Sequence, residues 1–138
     1  LIILSAKFHL KKGDKAEIQK KINEYLNYRK KAQPLEFSDG SIFKNIEIAK
    51  LKNKNILKII PEDKIKGGKF PAGYLIEKVG LRGKKQGQAR IAEKHANFIV
   101  NLGGAKAQDV IYLINLAKKK VKKMFGIELE EEIKYLGF

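Results

Sequence analysis

A long amphipathic segment set between glycines is the feature that most limits how this chain folds. Apolar residues recur at helical spacing from about Ala107 to Phe125, with Gly103 and Gly104 before the segment and Gly126 after it. The positions expected to face a core are Val110, Leu113, Ile114, Ala117, Val121 and Met124. Residues 89–92 and 96–101 have the composition of strands. These patterns predict an α+β fold in which helices pack on a small, mostly antiparallel sheet.

The N-terminal residues predict a strand followed by a helix. Residues 3–10 alternate between apolar and polar side chains, as a half-buried strand requires. Asp14 is a suitable N-cap, and Glu17 completes a capping box for a helix that ends near Ala32. Gln33-Pro34 then marks the first predicted domain boundary, because the residue before a proline disfavours helix.

Shorter elements are predicted in the middle and at the end of the chain. Residues 46–51 and 56–61 read as two strands with a polar connection, which predicts a hairpin. Residues 71–79 predict a short helix that begins at a proline and stops before a glycine. Residues 129–136 read as a final strand.

The charge of the chain leaves more than one class of function open. A net charge of +15 favours a nucleic-acid or other anionic partner, but the arginines are only Arg29, Arg82 and Arg90, and a lysine-rich solvated surface explains the charge as well. With no cysteine and two histidines, no metal site is expected. No apolar run has the length of a membrane span, so we expect a cytoplasmic protein without a membrane partner.

The strongest candidate for a functional site is the segment 40–45, Gly-Ser-Ile-Phe-Lys-Asn. The glycine relieves the backbone of a turn, and the serine hydroxyl, lysine ammonium and asparagine amide that follow can hold phosphate or carboxylate oxygens. Taken alone, the motif fits an ordinary turn equally well.

Several blocks accompany this motif in a fixed order: residues 29–35, 71–83, 93–101 and 129–137. Together with residues 40–45 they closely resemble the C-terminal part of UDP-N-acetylenolpyruvoylglucosamine reductase, also called UDP-N-acetylmuramate dehydrogenase. The resemblance implies that residues 1–33 end an FAD-binding domain, that residues 34–125 form a substrate-binding domain, and that residues 126–138 return to the FAD-binding portion as a strand.

The resemblance also assigns roles to individual residues. Ser41 is the implied proton donor and Glu132 the second catalytic residue, although strand alternation places Glu130 on the same side and only the resemblance selects between the two. The implied substrate-binding residues are Asn45, Lys44, Arg82, His95 and Gln33. A histidine just ahead of an apolar strand is also often structural.

The implied reaction is the reduction of UDP-N-acetylglucosamine-enolpyruvate to UDP-N-acetylmuramate, in peptidoglycan precursor synthesis, with FAD and NADPH. No dinucleotide-binding glycine motif occurs, so FAD is expected to be held by an N-terminal region outside this chain, and the chain alone is expected to be inactive. Ile46 and Glu131 stand where the family pattern has prolines. The alternatives are a small basic nucleic-acid-binding domain and an interaction fragment with open strand edges.

Overall fold

The computed structural model describes residues 2–52 and 54–137 and contains two compact units, Leu1–Ala32 and Gln33–Phe138. In the first unit, helix α1 spans Lys15–Ala32, and the Glu17 N–H donates to Asp14 Oδ1 at 2.9 Å, which confirms the predicted N-cap. The predicted strand at 3–10 is wrong, because residues 2–14 form neither helix nor strand. A strand needs a neighbour to satisfy its backbone groups, and the first unit contains no other strand among its described residues.

The second unit is built on a four-stranded antiparallel sheet, which confirms the α+β class. Its strands are β1 (Phe37–Ser41), β4 (Lys85–Gln86), β5 (Ala89–Ile91) and β6 (Phe98–Asn101), in the order β1-β6-β5-β4. The predicted strands at 89–92 and 96–101 therefore correspond to β5 and β6. Strand β1 comes from far upstream and pairs with β6, so the sheet joins distant parts of the sequence.

Two helices pack in this unit, one on the sheet and the other against the first helix. Helix α2 spans Ala72–Lys78 with Pro71 as its N-cap residue, and helix α3 spans Ala107–Phe125 and packs on β4 and β5. Both helices agree with the prediction. The apolar face of α3 is buried at Leu113, Ile114, Ala117 and Val121, with Val110 half-buried. Met124 is an exception at 60% exposed, because the half-buried Phe125 continues the packed face instead.

The segment between β1 and α2 corrects the hairpin prediction. Only Ile46–Glu47 forms a strand, β2, and it pairs with β3 (Lys69–Phe70) rather than with residues 56–61. The second apolar run forms a 3₁₀ helix, Lys54–Ile59. Ile56 and Ile60 are buried while Lys58 between them is exposed, and a strand would place all three on one face, so burial in this run does not follow the period of a strand.

Candidate functional site

Ser41 lies at the end of β1, immediately after an irregularity in the strand. Ser38 pairs with Val100 and Ser41 with Phe98, so β1 holds one more residue than β6 over the same stretch. Gly40 takes up the distortion with φ of +82°, a conformation that L side chains rarely adopt. The predicted glycine turn is thus a bulge within a paired strand, and it determines the orientation in which Ser41 leaves the sheet.

The residues after Ser41 are paired with the C-terminal segment. The Lys44 N–H donates to the Glu130 carbonyl at 2.9 Å, and the Glu132 N–H donates to the Ile42 carbonyl at 2.8 Å. Phe43 and Glu131 form the single antiparallel bridge between these segments. The predicted strand at 129–136 is therefore reduced to one bridge, but its consequence holds: Glu132 is brought beside the segment that carries Ser41.

A cleft of about 750 Å³ opens over this junction. Ser41, Lys44, Asn45 and Glu132 all line it, so the structure brings together four of the residues chosen from the sequence. Glu130 lines the cleft as well, whereas Glu131 points the other way and accepts hydrogen bonds from Lys118 Nζ at 2.6 Å and Tyr135 OH at 2.7 Å. The expected alternation of the three glutamates is confirmed.

Charge in the cleft distinguishes Glu132 from Glu130. Glu130 forms an ion pair with Lys44, and this contact lowers the pKa of Glu130 and raises the pKa of Lys44. The Glu132 and Glu47 charges add smaller effects that also raise the Lys44 pKa. Within the described part of the chain, the Glu132 carboxylate and the Ser41 hydroxyl make no hydrogen bond or ion pair. Both groups are open to a ligand, while Glu130 is already paired.

Three other candidates lie outside the cleft. Arg82 forms an ion pair with Glu77. Burial lowers the pKa of His95, and the positive charge of Arg82 lowers it further. The half-buried His95 ring packs edge-on against Phe98, with 4.8 Å between centroids, and its Nδ1 accepts the Asn97 N–H at 3.3 Å. These contacts fix the orientation of the His95 ring, which suits a structural role and a substrate-contacting role equally. Gln33 begins the second unit, away from the cleft lining.

Asn97 is a site residue for which sequence reasoning gave no role. Its side chain is 3% exposed and forms two hydrogen bonds with the backbone of Phe43. A buried asparagine within an apolar stretch is an unusual polar position, and this was the signal available in the sequence.

Neither a metal site nor a membrane span is found in the described residues. Across 2–52 and 54–137, no three histidine, cysteine or acidic side chains converge to hold a metal ion. Over the same residues, no helix has the length and apolar character needed to cross a bilayer.

Comparison with known proteins gives a consistent result. A family model described as UDP-N-acetylenolpyruvoylglucosamine reductase, C-terminal domain, matches residues 33–136. The reductase of that name from Carboxydothermus hydrogenoformans is 45% identical over 136 residues, covering 98% of this chain and 38% of the relative. The one from Fervidobacterium nodosum is 45% identical over 134 residues, covering 96% of this chain and 37% of the relative.

A solved structure agrees with these sequence matches. The crystal structure of UDP-N-acetylenolpyruvylglucosamine reductase from Thermus caldophilus superposes with a TM-score of 0.60 at 35% identity, covering 92% of this chain and 38% of that chain. The chain thus spans less than half the length of the relatives it matches.

Proposed function

The chain belongs to the UDP-N-acetylenolpyruvoylglucosamine reductase family, and we propose that it binds the UDP-sugar substrate and supplies the proton for its reduction. The complete protein would convert UDP-N-acetylglucosamine-enolpyruvate to UDP-N-acetylmuramate in the cytoplasm, for peptidoglycan synthesis. The observation that carries the proposal is the convergence of Ser41, Lys44, Asn45 and Glu132 on one cleft.

Ser41 is the proposed proton donor to the enol ether. Reduction places negative charge on the carbon that bears the substrate carboxylate, and an acid within hydrogen-bonding distance must protonate that carbon. A serine hydroxyl is a weak acid in water, so it needs neighbours that stabilise the charged form. The Ser41 hydroxyl makes no hydrogen bond within the described part of the chain, and the Lys44 ammonium in the same cleft has further N–H donors beyond the one that bonds Glu130.

Glu132 is proposed to act on the substrate carboxylate. Two carboxylates that share a site cannot both stay ionised without repulsion, so a proton is taken up and shared when the substrate binds. Glu130 is less suited to this role because its charge is already neutralised by Lys44. Asn45 and Lys44 would hold substrate oxygens in the cleft, and Arg82, His95 and Gln33 are proposed to contact the substrate at greater distance from the reacting carbons.

FAD does not fit the described residues. The α-helix end that lines the cleft is the C-terminal end of α3, at Phe125 and Gly126, so no α-helix N-terminus is present in its lining to receive a dinucleotide. A dinucleotide instead needs a glycine-rich turn that opens a helix N-terminus. We therefore propose that the flavin, which supplies the hydride and is reduced by NADPH, is held by an N-terminal FAD-binding region outside this chain, and that the chain alone is inactive.

Calorimetric titration of this chain with UDP-N-acetylglucosamine-enolpyruvate at moderate salt tests the binding role. We expect saturable binding that is about 10-fold to 100-fold weaker in the Lys44→Ala variant, since a hydrogen bond from a charged group is lost. Lys120→Ala removes the same charge from an exposed position on α3 and should leave affinity unchanged. Equal losses in both variants, or binding only to a control oligonucleotide with steep salt dependence, would favour a general charge effect instead.

The proton-donor role is tested in the complete reductase. Ser41→Ala should leave reduction of the flavin by NADPH intact and suppress reduction of the enol ether. Equal loss of both half-reactions would contradict the assignment of Ser41.

A further inference from the structure

Asn97 is the only polar residue that is buried in the described part of the chain. It lies just before β6, and both polar atoms of its side chain are used. Nδ2 donates to the Phe43 carbonyl at 2.8 Å, and Oδ1 accepts the Phe43 N–H at 3.0 Å. The asparagine amide therefore pairs with Phe43 as the peptide group of a neighbouring strand would.

These bonds extend the pairing of β1 and β6 beyond the last paired residues. The ladder ends at Ser41 and Phe98, and the Ile42 N–H donates to the Asn97 carbonyl at 2.9 Å. The two side-chain bonds to Phe43 follow directly. Asn97 thus holds the chain at the residues immediately after Ser41, where no regular strand is present to hold it.

The same peptide segment also positions Glu132. Residues 42–44 have Asn97 as their partner on one side and residues 130–132 on the other, through the Ile42 carbonyl and the Lys44 N–H. The segment that separates Ser41 from Glu132 is therefore bonded by the buried Asn97 amide at Phe43, in addition to its backbone hydrogen bonds.

Asn97 is itself held closely. Its N–H donates to His95 Nδ1, and helix α2 approaches it at Gly73, where a Cβ atom would lie 3.2 Å from Asn97 N and 3.3 Å from Asn97 Cβ. Helix α2 therefore packs closely against the backbone and Cβ of Asn97, at a position without a side chain, and this contact fixes where the side chain of Asn97 begins.

We propose that Asn97 is a positioning residue, which sets the geometry between Ser41 and Glu132 through the backbone of Phe43; this inference rests on the proposed function. Loss of the amide should misplace the two groups and lower the rate of enol-ether reduction. Because the same segment leads into Lys44 and Asn45, KM should rise as well, but by a smaller factor than the loss of kcat. A displacement of the reacting groups by about 1 Å is expected to lower kcat by about 100-fold.

The Asn97→Asp variant gives the sharpest test. An ionised aspartate still accepts the Phe43 N–H but has no donor for the Phe43 carbonyl, whereas the protonated form has one. Burial raises the pKa of such a carboxyl, so protonation is accessible at mildly acidic pH. We measure kcat per folded molecule for the variant and for the unmodified reductase at each pH. The ratio of the two kcat values should rise toward one as pH falls. A purely structural role predicts no recovery of kcat per folded molecule.

Three further measurements complete the experiment, all made in the complete reductase. Asn97→Leu should lower kcat by a larger factor than it raises KM and should leave flavin reduction unchanged, and hydrogen exchange at the Phe43 N–H should accelerate. Leu113→Ala, a fully buried position on α3 outside the cleft, controls for destabilisation alone. Gly73→Ala keeps the Asn97 amide but crowds the Asn97 backbone N and Cβ. It replaces Asn97→Leu if that variant does not fold, and it should give a smaller loss of kcat.

The outcomes separate this inference from the proposed function. An unmodified reductase that does not turn over the enol ether would refute the proposed function and, with it, the positioning role. An active reductase in which the Asn97 variants lose no more kcat than Leu113→Ala, and in which Asn97→Asp shows no recovery at low pH, would refute the positioning role alone.

Discussion

Gly126 ends α3 and begins the segment that carries Glu132, and replacing it with alanine should destabilise the fold by a calculable amount. Its φ of +68° and ψ of +15° are left-handed, and its N–H donates to the Lys122 carbonyl at 2.9 Å. A Cβ atom there would meet nothing within 4 Å, so the cost of Gly126→Ala is conformational and not steric. That cost is about 1 kcal/mol in the free energy of unfolding, which corresponds to a Tm lower by roughly 4 °C for a chain of this size.

Gly104→Ala is a matched control. Gly104 has φ of +81°, and a Cβ atom added to it would also meet nothing within 4 Å, but it does not line the cleft, whereas Gly126 does. Thermal unfolding of the 138-residue chain should show similar losses for both variants, and only Gly126→Ala should weaken binding of the UDP-sugar. An unchanged Tm in Gly126→Ala, or a loss above about 3 kcal/mol, would refute the conformational reasoning.

Further predictions concern the C-terminal segment and the core. Burial and the hydrogen bond to Glu131 raise the pKa of Tyr135 from the ordinary 10.0 to about 12. The stability that this phenol contributes is therefore present below pH 10.0 and is lost as pH rises through about 12. In Glu131→Gln, the pKa of Tyr135 measured by NMR titration of its ring should move toward 10.0. A double-mutant cycle on Glu131 and Lys118, followed by urea unfolding, should give a coupling of about 1 kcal/mol, because Lys118 is partly exposed and solvent screens the pair. Leu113→Ala should cost about 3 kcal/mol in urea unfolding, since this side chain is fully buried. Binding of the enolpyruvate substrate should take up a proton through Glu132, which calorimetry in buffers of different ionisation enthalpy would detect; no uptake would contradict the shared-proton role.

Much of the helical structure could be predicted from sequence because its signals are local. The apolar spacing of α3, the glycine after it and the Asp14 cap each act within a few residues, and the structure agrees with all three. Met124 differs because the neighbouring Phe125 packs against the core in its place. The choice between two adjacent apolar residues depends on tertiary packing, which periodicity does not describe.

Strand pairing was harder to predict because its partners are distant in sequence. The expected hairpin joined 46–51 to the next apolar run, but Ile46 pairs with Phe70 instead. Propensity cannot select among distant partners, since a pleated, half-buried surface suits many of them. The bulge at Gly40 has the same origin, because it exists only in relation to β6.

Four of the seven residues predicted from sequence line the cleft, but their arrangement could not be predicted. Ser41, Lys44 and Asn45 are neighbours in sequence, whereas Glu132 joins them through two backbone hydrogen bonds to residues 42–44. The part played by Asn97 depends on a contact with Phe43, 54 residues away, and its local signal, a polar residue beside an apolar run, does not identify that partner. Sequence does not show that residues 42–44 pair with residues 130–132, and this pairing brings distant segments into one cleft.

The two positions at which the chain lacks the prolines of the family pattern suggest how the site keeps its shape. A proline restricts its own φ, so it stiffens a segment without any partner. Ile46 instead lies in β2 with 8% exposure, within the hydrophobic core. Glu131 is held by Lys118 and Tyr135. Both positions are therefore held by tertiary contacts, so the shape of the cleft should depend on the integrity of the core and of the ion pair between Lys118 of α3 and Glu131.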